Sequence, residues 1–384
     1  MAASRTTRSH FGRLEDFVRE YTKGLNRREL ARLFDRDAVQ AYSVLTREHA
    51  AGPEPAGRLR LLLFRARLIF LGLSYKLTPA RRLLFAVSLL MAALGMGSGK
   101  FEMATRHSHV TVEFSPFWFM GSICGLLLLL ALELVDRIRV RDELEVAREL
   151  QAELLPHSPP SLPGYRFAHS YRTANEVGGD YYDITPLPDG RVALMVGDAS
   201  GHGMAAGLVM AIANATLQTA LDLDPAPPKV AALLNRTLCR TGGRRTFMTV
   251  FYGLLTPASG RLEWLCAGHP PPLLRRASGE LVELGKGSLP LGVRAPLAPA
   301  GSESVTLDAG DLLVLYTDGL AEAVGPSGLE AFGYERIAAL ARRGGAPQDV
   351  HDRILEAFDR HVKDEPLRDD LTLMVVAREA LAAA

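Results

Sequence analysis

Four places in the chain set a carboxylate where an apolar run begins or ends, three of them beside glycine. Asp180 and Asp183 lie in Val177-Gly178-Gly179-Asp180-Tyr181-Tyr182-Asp183, and Asp198 follows Val192-Ala193-Leu194-Met195-Val196-Gly197 and opens Ala199-Ser200-Gly201-His202-Gly203. Asp318 follows Leu312-Leu313-Val314-Leu315-Tyr316-Thr317 and precedes Gly319, while Asp369-Asp370 stand just before Leu371-Thr372-Leu373-Met374-Val375-Val376. A carboxylate at a strand end with glycine next to it reaches a cation without side-chain crowding. Any one of these taken alone reads more readily as a turn than as a ligand, but four together predict one metal cluster. Cys124, Cys239 and Cys266 are far apart and match no zinc spacing, and their odd number argues against a disulfide framework. A metal here takes oxygen ligands, which favours Mg²⁺ or Mn²⁺.

With Ala267-Gly268-His269-Pro270-Pro271-Pro272 and Tyr316-Thr317-Asp318-Gly319-Leu320-Ala321-Glu322-Ala323, the set resembles the PPM-type metal-dependent protein phosphatases related to protein phosphatase 2C, in their bacterial SpoIIE/RsbU-like branch. The resemblance covers about residues 145 to 378. It implies an α+β fold with an αββα sandwich, two Mn²⁺ or Mg²⁺ ions, and hydrolysis of a phosphoserine or phosphothreonine protein. A phosphate monoester dianion repels nucleophiles, and two divalent cations both neutralise it and make hydroxide available near neutral pH. Matched residue by residue, the resemblance makes Asp198 the bridging ligand, with the Ala199 backbone carbonyl as a further oxygen. Asp180, Asp318 and Asp369 complete the cluster directly or through water, and Asp198, Asp180 and Asp318 carry catalysis. Asp370 is the one-residue alternative to Asp369, and Asp183 is a supporting carboxylate. His202 is a candidate acid, although in protein phosphatase 2C relatives the histidine follows Asp-Gly directly, whereas Ala199, Ser200 and Gly201 intervene here. His269 reads as a loop-shaping residue, and Arg172, Arg244 and Arg245 are candidates for phosphate. The expected substrate is a phosphorylated STAS anti-anti-sigma-type regulator in partner-switching signalling. A phosphatase-like scaffold that binds a partner without turnover is the alternative, and the four filled aspartate positions argue against it.

The elements that must position these residues follow from patterning. Strands are expected at 167–171, 181–184, 192–196, 246–255, 261–267, 272–276, 304–307, 311–316 and 371–377, with helices at 204–221, 229–240, 334–342 and 347–361. Strands that follow one another directly in the middle predict antiparallel pairing. The domain is expected over 157–379, with Ala380–Ala384 as a frayed end.

The full chain of 384 residues, with Lys+Arg 44 against Asp+Glu 43, leaves room for more than one domain and no bulk charge to draw it to nucleic acid. Residues 1–80 read as a cytoplasmic helical region of unknown role, with no cleavable signal peptide and a loop at Gly52–Gly57. Arg58–Lys76 alternates arginines with leucines and aromatics, and either lies on a membrane surface or caps a helical bundle. Leu83–Gly99 and Phe114–Leu132 are free of charges and predict a transmembrane hairpin within 81–135, the alternative being a buried hairpin of a soluble sensor. Arg81, Arg82, Arg137, Arg139 and Arg141 place both outer ends in the cytoplasm and 100–113 outside, as a short loop. A linker helix over 136–156 carries Val140, Leu144, Ala147, Gln151 and Leu154 at spacings of four, three, four and three, a seam for a homodimer or a face packed on the domain.

Overall fold

The computed structural model describes residues 42, 45, 57–97, 100–105, 108–156, 158–241, 246–296, 302–326, 328–363 and 365–379. The small helices expected before Gly57 (Tyr42 and Leu45 apart), Arg244 and Arg245, and the frayed end at 380–384 lie outside these residues. The chain divides into two compact units, Met1–Arg137 and Ile138–Ala384.

The first unit contains helices α1 (Arg58–Lys76) and α2 (Pro79–Gly97), a ribbon of strands β1 (Lys100–Thr105) and β2 (Ser108–Glu113), and the start of α3 (Ser115–Leu154). The segment expected as a plain loop is an antiparallel hairpin, with Lys100 opposite Glu113 and Thr105 opposite Ser108. Helices α2 and α3 approach through small residues, as close helix pairs in apolar surroundings do. A Cβ on Gly121 would collide with Met91, one on Gly125 would collide with Ser88, and one on Gly95 would lie 3.2 Å from the Phe119 ring. At the other end Arg81 bonds Glu133 at 2.9 Å and Asp136 at 2.6 Å. The expected second span and linker helix are one 40-residue helix, because no Gly or Pro interrupts the chain between Gly125 and Pro156. Both α2 and α3 are long and apolar enough to cross a membrane, as is Met204–Leu223 in the second unit.

The second unit contains β3 (Tyr165–Arg172), β4 (Asp180–Pro186), β5 (Val192–Ala199), α4 (Met204–Leu223), α5 (Pro227–Thr241), β6 (Met248–Thr256), β7 (Arg261–Ala267), β8 (Leu273–Arg275) and β9 (Leu281–Glu283). It continues through β10 (Glu303–Thr306), β11 (Leu312–Tyr316), α6 (Asp318–Glu322), α7 (Tyr334–Arg342), α8 (Pro347–Val362) and β12 (Leu371–Arg378). Two five-stranded sheets form, in the orders β10-β7-β6-β5-β4 and β3-β12-β11-β8-β9. Every ladder between these strands is antiparallel.

The period of two in the strands sorts their side chains into separate layers. Leu371, Leu373, Val375 and Ala377 of β12 join Leu312, Val314 and Tyr316 of β11 against Val350, Ile354 and Phe358 of α8. The intervening Met374, Val376, Leu313 and Leu315 face the core shared with β5, β6 and β7. Residues 192–196 of β5 are buried throughout, since that strand is covered on both sides. The apolarity of α4 has the same cause: Ala206, Met210, Ala213 and Leu217 are fully buried in the core that includes β5. Two sheets with helices packed on them are the expected αββα layering. Strand β9 and helix α6 were not expected; each is five residues or fewer, too short for a period to register.

Candidate metal centre

Strands β4 and β5 are neighbours whose register puts Asp180 directly opposite Asp198. In the other sheet, Tyr316 of β11 pairs with Leu373 of β12, so Asp318, just after β11, and Asp369, just before β12, emerge side by side. Two threonines join the sheets at this edge. The Thr317 and Thr372 hydroxyls both donate to Asp180 Oδ2 at 2.7 Å, and the Thr372 N–H donates to Thr317 Oγ1 at 2.9 Å. Thr317 is the N-cap residue of α6 but makes no side-chain cap bond. Forgoing that bond costs about 1 kcal/mol, and the hydroxyl orients a carboxylate only 1% exposed instead.

The Asp369-Asp370 pair is divided by its surroundings. Asp370 is buried; its Oδ1 accepts from the Ala174 N–H at 2.7 Å and its Oδ2 from the Gly179 N–H. It ties down the 174–179 loop. Asp369 is exposed and bonds only locally, accepting from the Asp370 N–H at 2.9 Å. On the far side of the same loop, Gln151 of α3 donates from Nε2 to the Gly178 carbonyl at 2.6 Å and accepts the Gly178 N–H at 2.9 Å. Gln151 is 6% exposed, so this member of the expected dimer seam faces its own domain. Gly179 is required by space: a Cβ there would lie 3.0 Å from the Ala199 carbonyl oxygen and 3.4 Å from Asp198 Oδ1.

The electrostatics of the edge are one-sided. Burial, and then the charges of Asp318, Asp369 and Asp370, push the Asp198 carboxyl up to about 8. Asp180 is raised by burial and by Asp198, against the two threonine donors. Asp318 is raised by burial and by Glu322. Asp369 is raised by the partial burial of its carboxyl, with Asp318 and Asp370 adding to the rise while the Asp370 backbone and His202 oppose it. Carboxylates held together against their own repulsion call for a cation, and an all-oxygen donor set fits Mg²⁺ or Mn²⁺. Among the described residues no three His, Cys, Asp or Glu side chains close into a cage. The aspartates ring an open site, suited to ions that keep much of their water.

The other candidates separate. Asp183 accepts from Tyr181, Thr185 and Gln218 at 2.8–2.9 Å, a structural network. Arg172 pairs with both oxygens of Asp359 on α8 and clips β3 to that helix, away from a phosphate role. His269 is buried, its Nδ1 2.9 Å from the Thr249 hydroxyl, and burial pulls its imidazole down to about 3. His202 is exposed and lines a cleft of about 650 Å³ with Arg148, Asn175 and Glu176. Sequence patterning gave no role to Thr317 or Thr372, although both lie inside the quoted motifs, and it placed Gln151 only in a seam. Their contacts span 137, 192 and 27 residues of chain, which no local period reports.

A family model described as Stage II sporulation protein E (SpoIIE) matches residues 188–379. Protein IcfG of Synechocystis sp. is 27% identical over 278 residues, 65% of this chain and 43% of that protein. Phosphoserine phosphatase RsbP of Bacillus subtilis is 28% identical over 188 residues, 48% of this chain and 46% of that protein. The chain thus spans less than half the length of these two relatives. Among solved structures, the RsbU and RsbW domains of Rv1364c from Mycobacterium tuberculosis superpose with a TM-score of 0.51 at 31% identity, covering 60% of this chain and 64% of that one. The family model takes in half of the chain and includes three of the four strand-edge aspartate sites, so the chain belongs to the SpoIIE family, with a PP2C-type phosphatase domain.

Proposed function

We propose that this protein is a membrane-anchored, Mn²⁺- or Mg²⁺-dependent phosphatase that hydrolyses a phosphoserine or phosphothreonine protein. The observation that carries the reading is the convergence of Asp180 and Asp198 of one sheet with Asp318 and Asp369 of the other, with Asp198 pushed up by burial and then by its acidic neighbours. Its kinship with a protein named phosphoserine phosphatase supports the substrate class, and a phosphorylated STAS-type regulator is the substrate we favour. Two helices of spanning length and composition support the anchor, with α3 leading into the catalytic domain in the cytoplasm. A homodimer through α3 fits the exposed Val146 and Leu150, which lie off the face occupied by Gln151.

In this reading Asp198 and the Ala199 carbonyl would hold the ions together with Asp318 and Asp369. Asp180, fixed through Oδ2 by two hydroxyls, presents Oδ1 to the site. Bound there, divalent ions supply charge neutralisation and an acidified water for attack at phosphorus. The P–O bond to the serine or threonine oxygen breaks as the water oxygen bonds to phosphorus, and the proton that the water gives up balances the one that the leaving oxygen takes up from solvent.

The test is hydrolysis of an aryl phosphate by the full chain with Mn²⁺, with EDTA, and as Asp198→Asn. Turnover that requires metal and disappears in the variant is expected. Turnover indifferent to EDTA and to the substitution would overturn the two-ion reading, and metal binding without turnover on any phosphoprotein would favour the scaffold.

A further inference from the structure

Helix α1 has two apolar faces. On one side Leu68 and Gly72 are buried, with Gly72 directly against the Leu45 backbone. On the other, Leu59, Leu62, Leu63, Phe70 and Leu73 are exposed, Leu59 by 72% and Leu62 by 64%. At 100° per residue these five fall within an arc of about 100°. Arg58, Arg65 and Lys76 line one edge of that arc and Arg60 and Arg67 the other. From Arg58 to Lys100 there is no acidic residue. An apolar stripe bordered on both sides by long cationic side chains is the pattern of a helix lying in a bilayer interface, its stems among acyl chains and its guanidinium groups at headgroup phosphates.

The join to α2 fixes where this face lies. Arg82 of α2 donates from Nε to the Ser74 carbonyl at 2.9 Å, and its guanidinium lies 5.1 Å from the centre of the Tyr75 ring. Phe70 and Phe85 stack across the join at 5.8 Å. Only Leu77 and Thr78 separate α1 from α2, a helix of spanning length. The exposed stripe therefore belongs to an element held at the foot of a span.

We infer that α1 is an interfacial helix that docks on an anionic phospholipid surface. The inference rests on the membrane-anchored reading. Charge complementarity names the occupant: five cations and no anion in α1 suit a leaflet carrying net negative charge.

The full chain is reconstituted in phosphatidylcholine vesicles with or without phosphatidylglycerol. Native cysteines are replaced, and an environment-sensitive fluorophore is carried at Leu63→Cys (stripe), Leu128→Cys (exposed in α3) or Leu289→Cys (catalytic unit). Retained Mn²⁺-dependent aryl phosphate hydrolysis, or in its absence a cooperative melt, certifies each labelled chain as folded. Spin-labelled lipid is expected to quench the probes at 128 and 63 but not at 289. Quenching at 63 is expected to rise about twofold or more with phosphatidylglycerol, and to fall by about as much in high salt or with Arg58, Arg60, Arg65 and Arg67 changed to Gln. Quenching at 128 with a water-exposed probe at 63 would overturn the inference alone. So would a probe at 63 shielded from water yet unquenched by lipid, which would mean that a second copy or the preceding segment covers the stripe. No quenching at either 128 or 63 would overturn the membrane anchor itself.

Discussion

Gln151 and Gly178 exchange two hydrogen bonds, 2.6 Å from Nε2 to the carbonyl and 2.9 Å from the amide N–H to Oε1. The side-chain amide stands in for a strand partner, and it does so from the last turn of a 40-residue helix. Gly178 is two residues from Asp180, and Gly179 is held by Asp370, so the 174–179 loop is pinned between α3 and the second sheet. A helix turned by one residue, 100° in azimuth, would take Gln151 out of reach and leave both Gly178 groups unpaired.

Replacing Gln151 with Leu is expected to weaken metal-dependent activity by raising the Mn²⁺ concentration needed for half-maximal rate. Unpairing buried backbone groups costs about 1–3 kcal/mol, enough for a tenfold shift. Gln151→Glu keeps the acceptor but loses the donor and should fall between. An unchanged Mn²⁺ titration in the Leu variant would show that the contact is packing alone.

Thr317→Val and Thr372→Val each remove one donor from Asp180 with little change in shape. The double variant is expected to lose most of its turnover while still melting cooperatively, at a somewhat lower temperature because the Thr372 N–H loses the Thr317 hydroxyl as its acceptor. Steady-state rates beside a thermal melt check this; full activity in the double variant would mean that Asp180 needs neither hydroxyl.

Asp369 and Asp370 should part company in the same pair of assays. Asp370→Asn puts an N–H₂ group against the Ala174 or Gly179 N–H and is expected to lower stability by about 1–3 kcal/mol. Asp369→Asn, at an exposed site with acidic neighbours, should leave stability level or slightly higher in EDTA and cut the metal-dependent rate. The reverse pattern would exchange their roles.

The metal-free protein should lose stability as pH rises. A folded pKa of about 8 at Asp198 lies far above the unfolded value near 3.9, so the native state binds the extra proton between them. That stability is full at acid pH and is lost as pH climbs towards 8, at up to roughly 1.4 kcal/mol per unit for one proton. His269 acts on the other flank: with its folded pKa near 3, protonation of the unfolded state removes stability as pH falls from about 6.5 towards 3. Melts from pH 5.5 to 8.5 in EDTA should decline at the alkaline end, and Mn²⁺ or Asp198→Asn should flatten that decline. A melting temperature that climbs through this range without metal would refute the charge balance drawn for the site.

The amino-acid sequence alone determined which residues are candidates for the chemistry and which runs are strands, because both are local. Asp198 and Asp318 follow runs whose unbroken apolarity is readable in five residues, and β7 and α7 begin and end where the pattern places them. The length and apolarity of α2 and α3 are equally local. Only the tertiary structure decided between neighbours of like chemistry. Asp369 and Asp370 differ in nothing a sequence displays, yet one is bound by two loop amides and the other stands open. Gln151 fits a heptad seam by spacing, and what turned it inward is the Gly178 backbone, 27 residues away, whose polar groups need a partner once buried. Thr317 was a helix cap by position and became a support for Asp180 because the fold brought a carboxylate 137 residues distant within 2.7 Å.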